Sequence, residues 1–258
     1  MSDYNFDPIA EKFVNNIYGS TKGAIRKEVV WCELLECIQY INKPVLKVLD
    51  AGGGFGYFSQ KLAELGHQVI LCDISNELLS IAEAQLSDKP YQHNVKILHC
   101  SIQSLGQYID GEFDLILNHA VLEWLADPKK TLHGLTNWLS KDGLLSLMYY
   151  NKEAQRFFNI VSGNLDFVAL GMPRKKVVRL SPTNPLFEAE VVDWLTQVNM
   201  KVIKKVGVRV LHDYMKSPDI AEQQFEQLLS MEKIYCKIEP YASLGRYTHL
   251  TIAKDKRL

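Results

Sequence analysis

The sequence predicts an α/β fold: a doubly wound, mostly parallel sheet of seven strands, with antiparallel C-terminal edge strands and N-terminal helices. Three observations carry this. Apolar runs and helical stretches alternate from Lys47 to Tyr149, and the runs are continuously apolar, as suits strands covered on both faces. Directly after the first run, four glycines fall within five residues (Gly52, Gly53, Gly54 and Gly56), a density that only a need for bare backbone explains. Beyond Asn151 the pattern changes to helix, strand, helix, strand, which can extend the same sheet with an antiparallel pair.

The elements follow in order. Apolar positions at three-to-four spacing (Ile9, Phe13, Ile17, then Ile25, Val29, Trp31, Leu35 and Ile38) make the first forty residues helical, and Pro44 ends them. "VLKVLDA" is the first strand, followed by a helix from about Phe55 to Leu65 that Gly66 stops. "QVILCDI", "VKILHC", "FDLILNHAVLEWL" and "GLLSLMYYN" are further strands; Ser75 opens the helix "NELLSIAEAQL", and another begins at Pro128. "NKEAQRFFNIVSGNLDFVALGM" reads as helical, "PRKKVVRLSPTNP" as a Pro-rich basic loop and "EAEVVDWLTQV" as a helix. "KVIKKVGVRVLHDY" is strand-like, "DIAEQQFEQLLSMEKIYCK" one long helix and "GRYTHLTIAK" the last strand. Residues 1–258 are expected to form one domain: a helical cap (1–43), a cofactor-binding half (44–151) and a substrate-side half (152–258) with a basic loop at 171–185.

A chain of 258 residues with 47% hydrophobic content can bury one large core. A net charge of −1 gives no global attraction to nucleic acid or anionic lipid, so a phosphate-bearing partner needs a local patch. Five cysteines without Cys-x-x-Cys spacing read as reduced thiols, and no metal site is expected. The opening "MSDYNFDPIAEKF" carries acids before any apolar run and is not read as a signal peptide. No stretch approaches the ~20 apolar residues of a membrane helix, so a cytoplasmic location is expected.

Asp50-Ala-Gly-Gly-Gly-Phe-Gly56 fits D-x-G-x-G-x-G between a strand and a helix. Gly52 and Gly54 let the turn approach a ligand, and the helix start offers unpaired N–H groups. A pyrophosphate clamp would want G-x-G-x-x-G, but its last position is Tyr57. Asp73, ending the second strand, can accept from both ribose hydroxyls of an adenosine. The alternative is a packing turn with a helix-capping aspartate; the strand–turn–helix–strand–acid order favours a nucleoside site.

This unit resembles the class I S-adenosylmethionine-dependent methyltransferases, a Rossmann-like family in which the glycine loop cradles the methionine part and the strand-two acid holds the ribose. "NFDPIAEKFVNNIYGSTKGAIR", "VLDAGGGFG", "GHQVILCD", "HAVLEWLADP", "LSLMYYN", "GMPRKK", "LSPTNP", "GVRVLHDY" and "EPYASLGRY" resemble more narrowly the bacterial tRNA 5-carboxymethoxyuridine methyltransferase family, over residues 5–247. The resemblance implies S-adenosylmethionine as cofactor, tRNA (its anticodon loop) as partner, and methylation of the wobble-34 carboxylate to a methyl ester. It implies a cofactor site of Arg26, Asp50, Gly52, Gly53, Gly54, Asp73, Ile74, Ile102, Gln103 and His119. Arg26 would pair with the methionine carboxylate, for which an arginine is suited. Many relatives of the wider class carry an acid after strand three for the adenine amino group; Cys100-Ser101-Ile102-Gln103 has none, so a backbone group or Gln103 must serve. His119, at a strand's C-terminal end, is read as a cofactor contact rather than a base. A carboxylate acceptor, with a pKa of roughly 4, is already ionised, so no catalytic acid or base is nominated.

From Gly171 to Arg209 eight cations face three acids, a local +5 in a chain of −1. Such a run is commonly a solvated face; beside a methyltransferase site, Arg174, Lys175 and Lys176 become candidates for tRNA phosphates. Tyr150, following Tyr149, is the candidate to stack an anticodon base. Arg209 and Arg246 are the candidates to read the substrate carboxylate. Two other readings remain: a small-molecule carboxylate or phenol O-methyltransferase, which needs no basic patch, and a non-catalytic S-adenosylmethionine-binding module.

Overall fold

The computed structural model describes residues 3–12, 14, 19–173, 182 and 184–256. Its strands are β1 (Lys47–Ala51), β2 (Gln68–Asp73), β3 (Val95–His99), β4 (Phe113–His119), β5 (Leu139–Tyr150), β6 (Met200–Val208) and β7 (Tyr247–Lys254). They form one seven-stranded sheet in the order β3-β2-β1-β4-β5-β7-β6. β5 and β6 each pair antiparallel to β7, and all other neighbours are parallel. The expected C-terminal reversal is therefore carried by β7 alone, inserted between β5 and the edge strand β6.

Local chemistry sets where the helices start. α1 (Thr21–Ile41) begins at Ser20, whose hydroxyl accepts from the Gly23 N–H at 3.2 Å. α2 (Tyr57–Glu64) follows the glycine turn, and α3 (Asn76–Leu86) is capped by Ser75, which accepts from Leu78 N–H at 3.2 Å. α4 (Pro128–Thr136) has Pro at its first position and Asp127 accepting from Lys130 N–H at 2.9 Å. α5 (Lys152–Val161) starts at Asn151, and α6 (Leu165–Ala169) and α7 (Glu188–Thr196) follow.

The sheet is buried on both faces, as its unbroken apolar strands require. On one face Ile25, Val30 and Leu34 of α1 and Leu62 of α2 pack on Val48, Leu115 and Leu117. On the other, Leu132 and Leu135 of α4 and Val191 and Leu195 of α7 pack on Leu49, Ile116 and Leu145.

Three expectations are corrected. The N-terminal forty residues are not helical throughout: a strap with a 3₁₀ turn at Asp7–Ile9 precedes α1. The long C-terminal helix is two, α8 (Pro218–Gln223) and α9 (Phe225–Tyr235), parted at Gln224. The +5 segment is not an open basic face where it is described. Lys201 pairs with Asp255 at 3.8 Å, Lys204 with Glu33 at 2.5 Å and with Glu36, and Lys205 with Glu239 at 2.6 Å and Glu188 at 3.3 Å. Arg174, Lys175, Lys176 and Arg179 lie outside the described residues. Among the described residues no helix is long and apolar enough to cross a membrane.

Candidate active site

A crevice opens at the C-terminal ends of β1, β2 and β4, and all ten residues expected to hold the cofactor line it. Its floor is the turn after β1. Gly52 and Gly53 N–H donate to the Cys72 carbonyl at 2.8 and 3.2 Å, tying the turn to β2. Gly52 has φ +78°, and a Cβ there would lie 2.7 Å from Val121 Cγ2. At Gly53 a Cβ would come within 2.5 Å of the Asp50 carboxyl. Any side chain at either position would thus force the cradle apart. Asp50 lies beneath the turn, accepting from Ser59 Oγ at 2.7 Å, and burial pushes its carboxyl up to about 6.

Asp73 ends β2 over the crevice. Its Oδ2 accepts from Gly54 N–H and its Oδ1 from Ser75 N–H, both at 2.8 Å. Burial raises its pKa in spite of those backbone donors. The carboxylate plane is thereby fixed by the glycine turn on one side and α3 on the other, and each oxygen keeps a second lone pair for a hydroxyl donor. Ile74, Ile102 and Gln103 continue the wall beyond it.

Arg26, buried on α1, and His119 at the end of β4 line the opposite part of the crevice. His119 Nε2 lies 2.8 Å from Ser146 Oγ, which lies 2.7 Å from His249 Nε2, a three-member chain across β4, β5 and β7. One hydroxyl between two imidazoles donates to one ring and accepts from the other, so the two tautomers are coupled. Burial holds both imidazoles neutral, His249 down at about 3. Glu123, fully buried and also lining the crevice, is pushed up to about 8 by burial, against the opposing charge of Arg26.

Of the residues expected to bind substrate, the three that are described, Tyr150, Arg209 and Arg246, are not among those lining the crevice. Arg209, one residue past β6 with φ +63°, pairs with Asp213, Nε to Oδ2 at 2.7 Å. Arg246, just before β7, donates to the same carboxylate at 3.1 Å through Nη2 and to the Tyr150 hydroxyl at 3.0 Å through Nη1. Two guanidiniums on one carboxylate leave one excess positive charge in a buried cluster. Burial pushes the Asp213 carboxyl up, but Arg209 and then Arg246 outweigh it and hold it below the usual range. Burial also raises the Tyr150 hydroxyl. It stays protonated and, accepting from Arg246, has its own hydrogen to donate. The Tyr150 ring has the Tyr247 ring 5.5 Å away at 89° and the Arg246 guanidinium 5.7 Å from its centroid. Tyr247 joins the two regions. It lines the crevice, with Arg26 and Arg209 each 5.9 Å from its ring centroid.

Sequence reasoning missed Tyr247, Glu123 and Asp213, and also the N-terminal strap, whose Asp3, Tyr4 and Phe6 line the crevice with Trp124. Asp213, four residues past Arg209, offered the one legible signal among them. Among the described residues no cluster of His, Cys, Asp and Glu is placed to hold a metal ion.

Comparison with known proteins gives a consistent picture. The "Methyltransferase domain" family matches residues 49–147. The tRNA 5-carboxymethoxyuridine methyltransferase of Escherichia coli K12 is 44% identical over 99% of this chain and 98% of its own length. The ubiquinone biosynthesis O-methyltransferase of Xanthomonas campestris is 28% identical over 51% of this chain and 54% of its own. Magnesium protoporphyrin IX methyltransferase from Synechocystis PCC 6803, solved with bound SAH, superposes with a TM-score of 0.66 over 96% of both chains at 14% identity, a likeness of fold.

Proposed function

The chain belongs to the tRNA 5-carboxymethoxyuridine methyltransferase family, and from that membership we propose that it methylates the carboxylate of 5-carboxymethoxyuridine at wobble position 34 of tRNA, giving 5-methoxycarbonylmethoxyuridine. The observation that carries this reading is 44% identity over almost the whole chain, including the half that follows the matched methyltransferase domain. Likeness to the ubiquinone O-methyltransferases stops at about half the chain, which disfavours a small-molecule acceptor. A tRNA substrate also suits a cytoplasmic enzyme.

The crevice fits S-adenosylmethionine. The glycine turn is a cradle that any Cβ would fill, and Asp73 is a fixed acceptor for two ribose hydroxyls. Arg26 suits the methionine carboxylate. When bound, S-adenosylmethionine supplies a sulfonium methyl group, which the acceptor oxygen takes as the carbon–sulfur bond breaks and its electron pair passes to sulfur. The chain's own task is alignment. An ionised carboxylate needs no base, and what it needs is an in-line approach at about 3–3.5 Å in a dry pocket. The excess charge of the Arg209–Asp213–Arg246 cluster and the Tyr150 hydroxyl suit that anion and would reject unmodified uridine, which lacks it. Sharing each arginine with Asp213 keeps its grip on the attacking oxygen moderate, since a bond stronger in the ground state than in the transition state slows transfer.

The test is mass spectrometry of wobble nucleosides from tRNA incubated with the protein and S-adenosylmethionine. Conversion of 5-carboxymethoxyuridine to its methyl ester is expected. Unchanged nucleoside, with methylation of free carboxylic acids instead, would transfer the protein to the small-molecule class.

A further inference from the structure

The chain has no acid after β3, and the base of a nucleoside held by Asp73 must nevertheless lie there. In the proposed cofactor site the methionine part would face the β1 turn and Arg26, and the base, on the other side of the ribose, would face Ile74 and the Ile102–Gln103 pair, all of which line the crevice. Over this end lies the N-terminal strap, pinned through Asp3, Tyr4, Asn5 and Asp7 to the loops after β2, β3 and β4. Asp3 Oδ1 accepts from Ala126 N–H at 2.8 Å, and Tyr4 N–H donates to the Trp124 carbonyl at 3.2 Å. The Asn5 amide donates to the Ile74 carbonyl at 3.3 Å, and Asp7 Oδ1 accepts from Ser75 Oγ at 2.6 Å. The rings of Tyr4 and Phe6 meet Trp124 at 5.2 and 5.0 Å, roofing the crevice with apolar surface.

Gln103 shows what the strap does at this end. Its amide nitrogen donates to Asp3 Oδ2 at 3.0 Å and to Thr131 Oγ1 at 3.1 Å. A carboxylate only accepts, so the group facing Asp3 has to be the amide NH₂. The Thr131 hydroxyl spends its own hydrogen on the Asp127 carbonyl at 3.0 Å, so it too receives from Gln103. Both amide hydrogens are thereby committed and the flip is fixed. Gln103 Oε1 is left as a neutral acceptor on a residue that lines the crevice, and the exocyclic amine of adenine is a donor.

We propose that Gln103 Oε1 reads the adenine amino group of the cofactor and that Asp3, carried over the crevice by the N-terminal strap, is the positioning residue that locks the amide for it. This rests on the cofactor site proposed above. An acid from the start of the chain thus acts through Gln103 where the acid after β3 is missing.

The experiment is calorimetric titration of S-adenosylhomocysteine and of its analogue with unsubstituted purine in place of adenine. Wild-type protein should prefer the adenine ligand by about tenfold, the worth of one hydrogen bond whose loss leaves Oε1 unpaired. In Asp3→Ala and in Gln103→Ala that preference should fall toward one. Asp3→Asn, which can still accept from the Gln103 amide, should retain part of it. An unchanged preference in Asp3→Ala overturns the proposal, and so does equal weakening of both ligands, which would make Asp3 only an anchor of the strap. Asp73→Ala, titrated alongside, separates the two readings. If it binds as wild type, the cofactor site itself is misplaced; if it fails while Asp3→Ala keeps the wild-type preference, only the role of the strap is wrong.

Discussion

Asp73 gains its role from what surrounds it rather than from its identity. Held by two backbone donors and nearly buried, its carboxylate cannot turn away from a ligand, and its remaining lone pairs face the crevice. Asp73→Ala should weaken S-adenosylmethionine binding at least tenfold, since charge-assisted hydrogen bonds are worth about 1.5–3 kcal/mol each. Calorimetry showing wild-type affinity in a folded variant would refute the ribose assignment. Arg209, Arg246 and Asp213 behave as a unit. At least one of Arg209→Met and Arg246→Met should cut turnover on carboxymethoxyuridine tRNA sharply while leaving cofactor affinity intact; wild-type rates in both would mean that backbone groups or a lysine hold the anion. Asp213→Ala strands two buried guanidiniums and should cost about 3–5 kcal/mol in urea unfolding. A midpoint within error of wild type would show that the cluster is already hydrated. The two arginines were legible as candidates from their strand-end positions. Their shared carboxylate was not read, because Asp213 approaches Arg246 from 33 residues away.

Between β4, β5 and β7 the element scale adds a pH dependence. His119, Ser146 and His249 stand on three neighbouring strands, and burial keeps His249 neutral down to about 3. Its folded pKa lies below the unfolded value of about 6.5, so the unfolded chain binds the extra proton between those limits. Stability from this residue is therefore complete above pH 6.5 and falls with acidification, by about 2 kcal/mol between pH 7 and pH 5. Asp50 and Glu123, with raised values, tilt the curve the other way, so the comparison has to be with His249→Gln, which removes only the imidazole. That variant should show a flatter acid limb in thermal unfolding; parallel curves would mean that His249 already titrates normally. The β1–α2–β2 unit that frames the site could be read from the sequence because its apolar runs, glycines and terminal acid are local. The strap could not. Tyr4 and Phe6 have no periodicity of their own, and the bond from Asp3 to Ala126 spans 123 residues. Long-range polar pairing leaves no trace in a window of neighbours.

Across the whole molecule the same distinction separates a charged segment from a charged surface. The +5 between Gly171 and Arg209 overstates the open charge, because acids outside the segment pair with its second half: Glu33 and Glu36 of α1 take Lys204, while Glu239 joins the segment's own Glu188 at Lys205. We propose that Arg174, Lys175 and Lys176, in the first half of the segment, bind the phosphates of a polyanion. Neutralising these three to Gln should raise the KM for tRNA and flatten its dependence on salt. The slope should fall by about 0.7–0.9 log units for each phosphate that is no longer neutralised, because every phosphate paired with a cation releases its counterions. Lys201→Gln and Lys204→Gln supply the control. Their charges are already paired within the protein, so they release no counterions on binding and should leave the slope unchanged. A triple variant with the wild-type slope would return 174–176 to ordinary solvated surface. A slope that moved with Lys204→Gln would show instead that tRNA opens the pairs to α1, and that the substrate draws its charge from the far edge of the sheet.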